Sequence, residues 1–134
     1  MTDDSSSQLR RLVVRIDPSW PQDVAVGPGW FPLLARLDQR LAEIAPNYVV
    51  QQVKAKFGSL SFYATPSDDP YDYNEEFNKA IRAAEWESTE MCEDCGAQAR
   101  TYVIRLWAWT LCERHAEERR SVESTEASGD SEMR

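Results

Sequence analysis

The sequence predicts an α+β fold: a helix and β-hairpin core followed by a small stapled unit at its C-terminal end. Three observations carry this. Apolar residues recur at helical spacing over residues 30–44. The period changes to alternation over residues 48–65. The three cysteines and the single histidine then fall into two short pairs, Cys92-Glu-Asp-Cys95 and Cys112-Glu-Arg-His115.

At 134 residues the chain fits one domain. Residues 1–8 are rich in Ser and Asp, and residues 121–134 in Ser, Glu and Gly. Both read as disordered tails, which leaves a folded body over 9–120. Leu12, Val13, Val14, Arg15 and Ile16 form a β-prone run that ends at Asp17-Pro18, and Pro18, Pro21, Gly27, Pro28 and Gly29 then make an irregular connection. Trp30, Leu33, Leu34, Leu37, Leu41 and Ile44 lie on one helical stripe, with Arg36, Asp38, Gln39, Arg40 and Glu43 off it. Pro32 belongs in the first turn, where its missing N–H is harmless, and Pro46 stops the helix.

Residues 48–65 then read as a hairpin turned at Phe57-Gly58-Ser59. Val49, Val53, Phe57, Leu60 and Phe62 are its expected core face, packed on Leu33, Leu34, Leu37 and Leu41. Pro66, Ser67, Asp68, Asp69 and Pro70 mark a loop. A second helix is expected over 74–90, with Phe77, Ala80, Ile81 and Ala84 on its stripe and Trp86 off it.

The two ligand pairs have the layout of a structural zinc site. Each pair has two residues between its members, and sixteen residues separate the pairs. Zn²⁺ takes four tetrahedral ligands, with thiolate and imidazole among its usual donors. Gly96 follows the first pair, where a tight knuckle calls for a positive φ. Residues 101–111 read as a hairpin around Arg105-Leu106, and Cys112 and His115 open a helical run over 116–120. Knuckle, hairpin and helix in that order make a treble-clef-like unit over 91–120. Cys92, Cys95, Cys112 and His115 leave no position for a reactive water, so the zinc is expected to be structural rather than catalytic.

Charge is unevenly distributed. Residues 68–94 hold ten acids, opposed only by Lys79 and Arg82, so this sector carries the whole net charge of −8. No apolar stretch approaches the roughly 18 residues needed to cross a bilayer, and no signal-peptide core is present. An odd cysteine count at zinc spacing points to a reducing cytoplasm.

Three stretches together resemble a known family. They are Gly29-Trp30-Phe31-Pro32-Leu33-Leu34, the run from Gln52-Val53-Lys54-Ala55-Lys56-Phe57-Gly58 to Leu60-Ser61-Phe62-Tyr63, and the two zinc pairs that follow. The combination is similar to a family of small uncharacterised proteins of bacteria, phages and prophages, and it covers residues 27–116. The acidic sector and the polar C-terminal tail depart from that pattern.

The sequence therefore favours a zinc-stabilised protein-interaction module over an enzyme. No cysteine or histidine is spare for nucleophilic chemistry, and neither a Gly-rich phosphate loop nor a His-Glu-x-x-His motif is present. The expected partner is a protein with a basic surface, met as an inhibitor of the immunity or anti-defence type would meet it. Asp68, Asp69, Asp72, Glu75, Glu76 and Trp86 are the candidate contacts. The alternative is a nucleic-acid-binding zinc protein. It would use Arg100, Arg105, Arg114, Arg119 and Arg120 around Trp107 and Trp109, with Lys54, Lys56 and Tyr63. Interleaved Glu113, Glu117 and Glu118 and the acidic balance weigh against it.

Overall fold

In the computed structural model, residues 9–121 are described. Both expected tails lie outside this range, apart from Ser121, which closes the last helix. In chain order the elements are α1 (residues 9–14), β1 (Val24–Ala25), a 3₁₀ turn (Pro28–Trp30), α2 (Phe31–Ile44), β2 (Val49–Lys56), β3 (Ser59–Thr65), α3 (Glu75–Ser88), β4 (Arg100–Ile104), β5 (Trp107–Leu111) and α4 (residues 113–121). One sheet has the order β1-β2-β3, with β1 parallel to β2 and β3 antiparallel. The second is the β4–β5 hairpin. The architecture is α+β, as the sequence predicts.

The β-prone run at Leu12 is a helix instead. As a strand, Leu12, Val14 and Ile16 would share a face. Here Leu12 and Ile16 are buried while Val14 is exposed, and Leu9 and Val13 pack against the same core. Spacings of three and one make Leu9, Leu12 and Val13 a helical stripe, which outweighs the β-propensity of two valines. The chain turns extended only at Ile16, which bridges Val50 in parallel.

The stripe of α2 is buried through Leu33, Leu34, Leu37 and Leu41, and Trp30 at its start is fully enclosed. Pro32 sits in the first turn, and the helix ends at Ile44, before Pro46. Asp38, expected at the surface, is buried. It accepts the Tyr48 hydroxyl at 2.5 Å and Arg15 Nε at 3.1 Å, and the Arg15 guanidinium lies 4.3 Å from the centre of the Tyr48 ring. Burial first, then the Asp38 bond, pushes the Tyr48 hydroxyl far above its ordinary value, so it stays a donor. Removing one member of such a buried set strands the others. Asp38→Ala should therefore cost about 3 kcal/mol, read from denaturant midpoints, with no change in zinc content.

The central hairpin forms, and its core face departs from the expected one at Val49 and Phe57. A bulge between Val50 and Gln52 resets the alternation, so Val50 is buried and Val49 only half-buried. Val53, Leu60 and Phe62 are buried as expected and join the Leu33, Leu34, Leu37 and Leu41 cluster. Phe57 is not in the core: it is 80% exposed. It forms a two-residue turn with Gly58, both at positive φ (54° and 81°), and a turn residue cannot also face the sheet interior. Phe57→Ala should be close to neutral in stability, while Phe62→Ala should cost about 3–5 kcal/mol; paired thermal melts test the assignment.

Asn74 caps α3, its side chain accepting from Phe77 N–H at 3.0 Å. Phe77, Ile81 and Ala84 are buried, and Trp86 faces outward. Along the outer side of β3, Leu60 N–H donates to Ser88 Oγ (2.9 Å) and Phe62 N–H to Glu85 Oε2 (3.0 Å). Among the described residues, no helix is long and apolar enough to cross a membrane.

Candidate metal centre

Cys92 and Cys95 lie on a knuckle held by Gly96 N–H to Cys92 C=O (2.8 Å) and Cys92 N–H to Ala97 C=O (2.8 Å). Gly96 takes φ 81°, the conformation the sequence calls for there. Cys112 follows β5 directly and His115 lies on the first turn of α4, where Ala116 N–H returns to Cys112 C=O at 2.9 Å. The hairpin β4–β5 spans the gap and brings the two pairs together.

One ligand atom from each of the four residues falls within 4.8 Å of the others. A tetrahedral Zn²⁺ with Zn–S near 2.3 Å and Zn–N near 2.0 Å has S···S edges of about 3.8 Å and S···N edges of about 3.5 Å. Cys95 Sγ to Cys112 Sγ is 3.8 Å, Cys92 Sγ to His115 Nδ1 is 3.5 Å and Cys112 Sγ to His115 Nδ1 is 3.2 Å. The cysteines are free thiols and not a disulfide. This Cys₃His group fits structural Zn²⁺, with Nδ1 of His115 as the imidazole donor. Cys92 is buried, Cys95 exposed, and the other two intermediate, so the ion would sit close to the surface.

The local field suits a thiolate at Cys112, whereas the Cys95 thiol is shifted above its ordinary value. The backbone N–H of His115 pulls the Cys112 thiol below its ordinary value against the opposing effect of burial, aided by Cys95, Cys92 and the Arg114 N–H. Cys112 precedes α4, where unpaired amides favour negative charge.

The knuckle is clasped from the first half of the chain. Gly29 N–H donates to Glu93 C=O (2.8 Å), and Trp30 Nε1 to Met91 C=O (2.7 Å). The approach is so close that a Cβ on Gly29 would stand 2.0 Å from Cys92 O, 2.6 Å from Gly96 N and 2.7 Å from Cys95 N. Glu93 is buried inside the acidic sector. Its carboxylate accepts Thr110 N–H at 2.7 Å, and its own N–H donates to Thr110 C=O at 2.9 Å. Burial raises its carboxyl above the ordinary range, opposed by the Thr110 bond. The Thr110 hydroxyl in turn donates to Gly58 C=O, tying β5 to the central turn. Sequence spacing identifies the four ligands. It does not distinguish Glu93 from its nine acidic neighbours, and it marks Gly29-Trp30 as a motif without saying what they grip.

The candidate contacts in the acidic sector divide. Asp68, Asp69 and Asp72 lie in the exposed loop before α3. Asp69 accepts Tyr71 N–H and Asp72 accepts the Ser67 hydroxyl, while Asp68 has no side-chain partner among the described residues. Glu75 and Glu76 open α3: Glu75 accepts the Tyr73 hydroxyl, which holds its carboxyl below the ordinary range, and Glu76 lies 3.7 Å from Arg40. Trp86 shares the Glu75 face of α3 but stands about 16 Å along it at 1.5 Å per residue. Glu85, Glu87, Glu93 and Asp94 hold Phe62 N–H, Arg36, Thr110 N–H and Arg119. The sequence missed Tyr71 and Tyr73, 92% and 68% exposed among these carboxylates.

No family model, no curated protein and no solved structure matches this chain. Donor chemistry and surface chemistry carry the functional reading.

Proposed function

We propose that this zinc-stabilised domain is a protein-interaction module, and not an enzyme, that sets an acidic, tyrosine-bearing loop against a basic protein surface. An inhibitor of the immunity or anti-defence type works in this way. The observation that carries the reading is the exposure of Tyr71 and Tyr73 between Asp68, Asp69, Asp72, Glu75 and Glu76. Tyrosine supplies contact area at little conformational cost and is enriched where binding energy concentrates, while the carboxylates steer a basic partner from a distance. The four donors of the Cys₃His group converge on one point, which suits a staple better than a reactive metal. The nucleic-acid alternative draws less support: Arg114, Arg119 and Arg120 each pair with a carboxylate, and Arg119 also covers the Trp109 ring at 3.8 Å.

The test is affinity capture from the native host on the immobilised chain, followed by association kinetics with the captured protein. Asp68→Lys, Glu76→Lys and Tyr71→Ala combined should slow association about tenfold or more at low salt, with zinc content and circular dichroism unchanged. Capture of the same protein at an unchanged rate would remove the acidic loop as the contact. Retention of the wild-type chain on a DNA column would favour the alternative.

A further inference from the structure

Both hairpins end in turns of uncommon composition, and the first of these turns packs against β4 and β5 near Thr101 and Thr110. Two-residue hairpin turns with positive φ at both positions favour Asn-Gly or Gly-Gly. Here they are Phe57-Gly58 and Arg105-Leu106, with φ of 54° at Phe57, 51° at Arg105 and 68° at Leu106. A bulky side chain in this region costs on the order of 1–2 kcal/mol, so the fold keeps two large apolar side chains at its tips against a local preference. Leu106 is 98% exposed, and Trp107 beside it is also exposed. Between the turns lies a cleft of about 360 Å³, floored by Ala55 and Ala108 and walled by Phe57, Leu106 and Trp107. Lys54 and Lys56 stand at its rim, and neither has a carboxylate partner among the described residues.

The charge around this cleft is opposite to that of the rest of the chain. Lys54 and Lys56 are the charged residues that line the cleft, and residues 49–65 and 100–111 contain no acid. The remainder of the chain holds 11 bases against 23 acids. We infer that the cleft between the hairpin tips is a second docking site, distinct from the acidic loop, and that it takes an acidic peptide segment bearing one bulky apolar side chain. The apolar side chain enters between Phe57 and Leu106–Trp107, and flanking carboxylates meet Lys54 and Lys56. The volume lies at the small end of ligand sites and suits one large side chain rather than an extended surface. Charge complementarity selects the flanking residues. A nucleic acid fits less well, because its backbone would run on from two lysines onto a surface of opposite balance. A peptide with two or three carboxylates confines its charge to the patch.

The zinc-loaded full chain, panned against a random peptide library displayed on phage, should enrich sequences in which Trp, Phe or Leu is flanked by Asp or Glu. A synthetic peptide from that pool should bind in a salt-sensitive manner, followed by Trp fluorescence. Its Kd should weaken about tenfold or more in Lys54→Glu/Lys56→Glu and separately in Phe57→Ala and Trp107→Ala. Lys56, Phe57 and Trp107 are exposed and Lys54 is half-buried, and unchanged zinc content and circular dichroism establish that each variant is folded. Asp68→Lys/Glu76→Lys should bind the peptide as wild type does, so this result stands or falls apart from the acidic-loop proposal. No enrichment, or enrichment of basic peptides, overturns the inference. So does oligo(dT) binding more tightly than the peptide, which would assign the cleft to single-stranded nucleic acid. Concentration-dependent association in sedimentation, abolished by Lys54→Glu/Lys56→Glu, would assign it to a second copy and equally overturn it.

Discussion

Stripping zinc with a chelator at neutral pH is expected to unfold residues 91–121 and to loosen two segments far from them in sequence. Structural zinc contributes about 10–16 kcal/mol in small zinc modules, more than the polypeptide contacts of a two-stranded hairpin and one short helix supply. The apolar cluster of this unit is small: Cys92, Ile104, Leu111 and Ala116 are its buried members, and one of them is itself a ligand. Loss of the ion would also release Gly29 and Trp30, whose partners are Glu93 C=O and Met91 C=O, and the Phe57–Gly58 turn, whose Gly58 C=O is held by Thr110. Hydrogen exchange should show protection lost over 91–121, weakened at 27–30 and 57–60, and retained in α2 and α3. Retention of native exchange throughout would mean that the metal is dispensable. Acidification should have the same effect, because protons compete for the thiolates and imidazole.

Gly29→Ala is expected to cost at least about 3 kcal/mol and to lower zinc retention, the upper end for added atoms in a packed interior. The usual relief for an overpacked site is rotation of a neighbouring side chain. Here the atoms at 2.0, 2.6 and 2.7 Å are backbone atoms of Cys92, Gly96 and Cys95, so the knuckle itself must shift. Zinc stoichiometry under chelator competition and urea midpoints measure the two effects together. A loss below about 1 kcal/mol, with zinc held as tightly as in the wild type, would mean that the Gly29 backbone does not approach the knuckle this closely.

What the sequence discloses is governed by how local the deciding interaction is. The zinc ligands are legible because metal coordination restricts residue type and spacing, and no other cysteine or histidine competes. α2 and α3 are legible because six and four apolar residues repeat at helical period. Residues 12–16 were misread because the strand and helix patterns share Leu12 and Ile16. Val13 and Val14 separate them, and which of the two turns inward is set by the tertiary core. Val50 takes the buried place expected of Val49 because one bulge residue, Gln51, reverses the side chains before it, while Val53 beyond it keeps the expected face. Phe57 resembled a core aromatic because Phe at positive φ is uncommon, and Asp38 resembled a surface acid because its partners Arg15 and Tyr48 lie 23 and 10 residues away.

The side chains of Ser88 and Glu85 along β3 have a consequence beyond the stability of one molecule. The outward amides of Leu60 and Phe62 are the groups that a stray strand from another copy would seize to prolong the sheet. With both already engaged from α3, that border of the sheet is closed to intruders. Extending the sheet through this border would first have to displace Ser88 and Glu85 from those amides. Glu85 and Ser88 thus stand between this strand and any strand of another molecule.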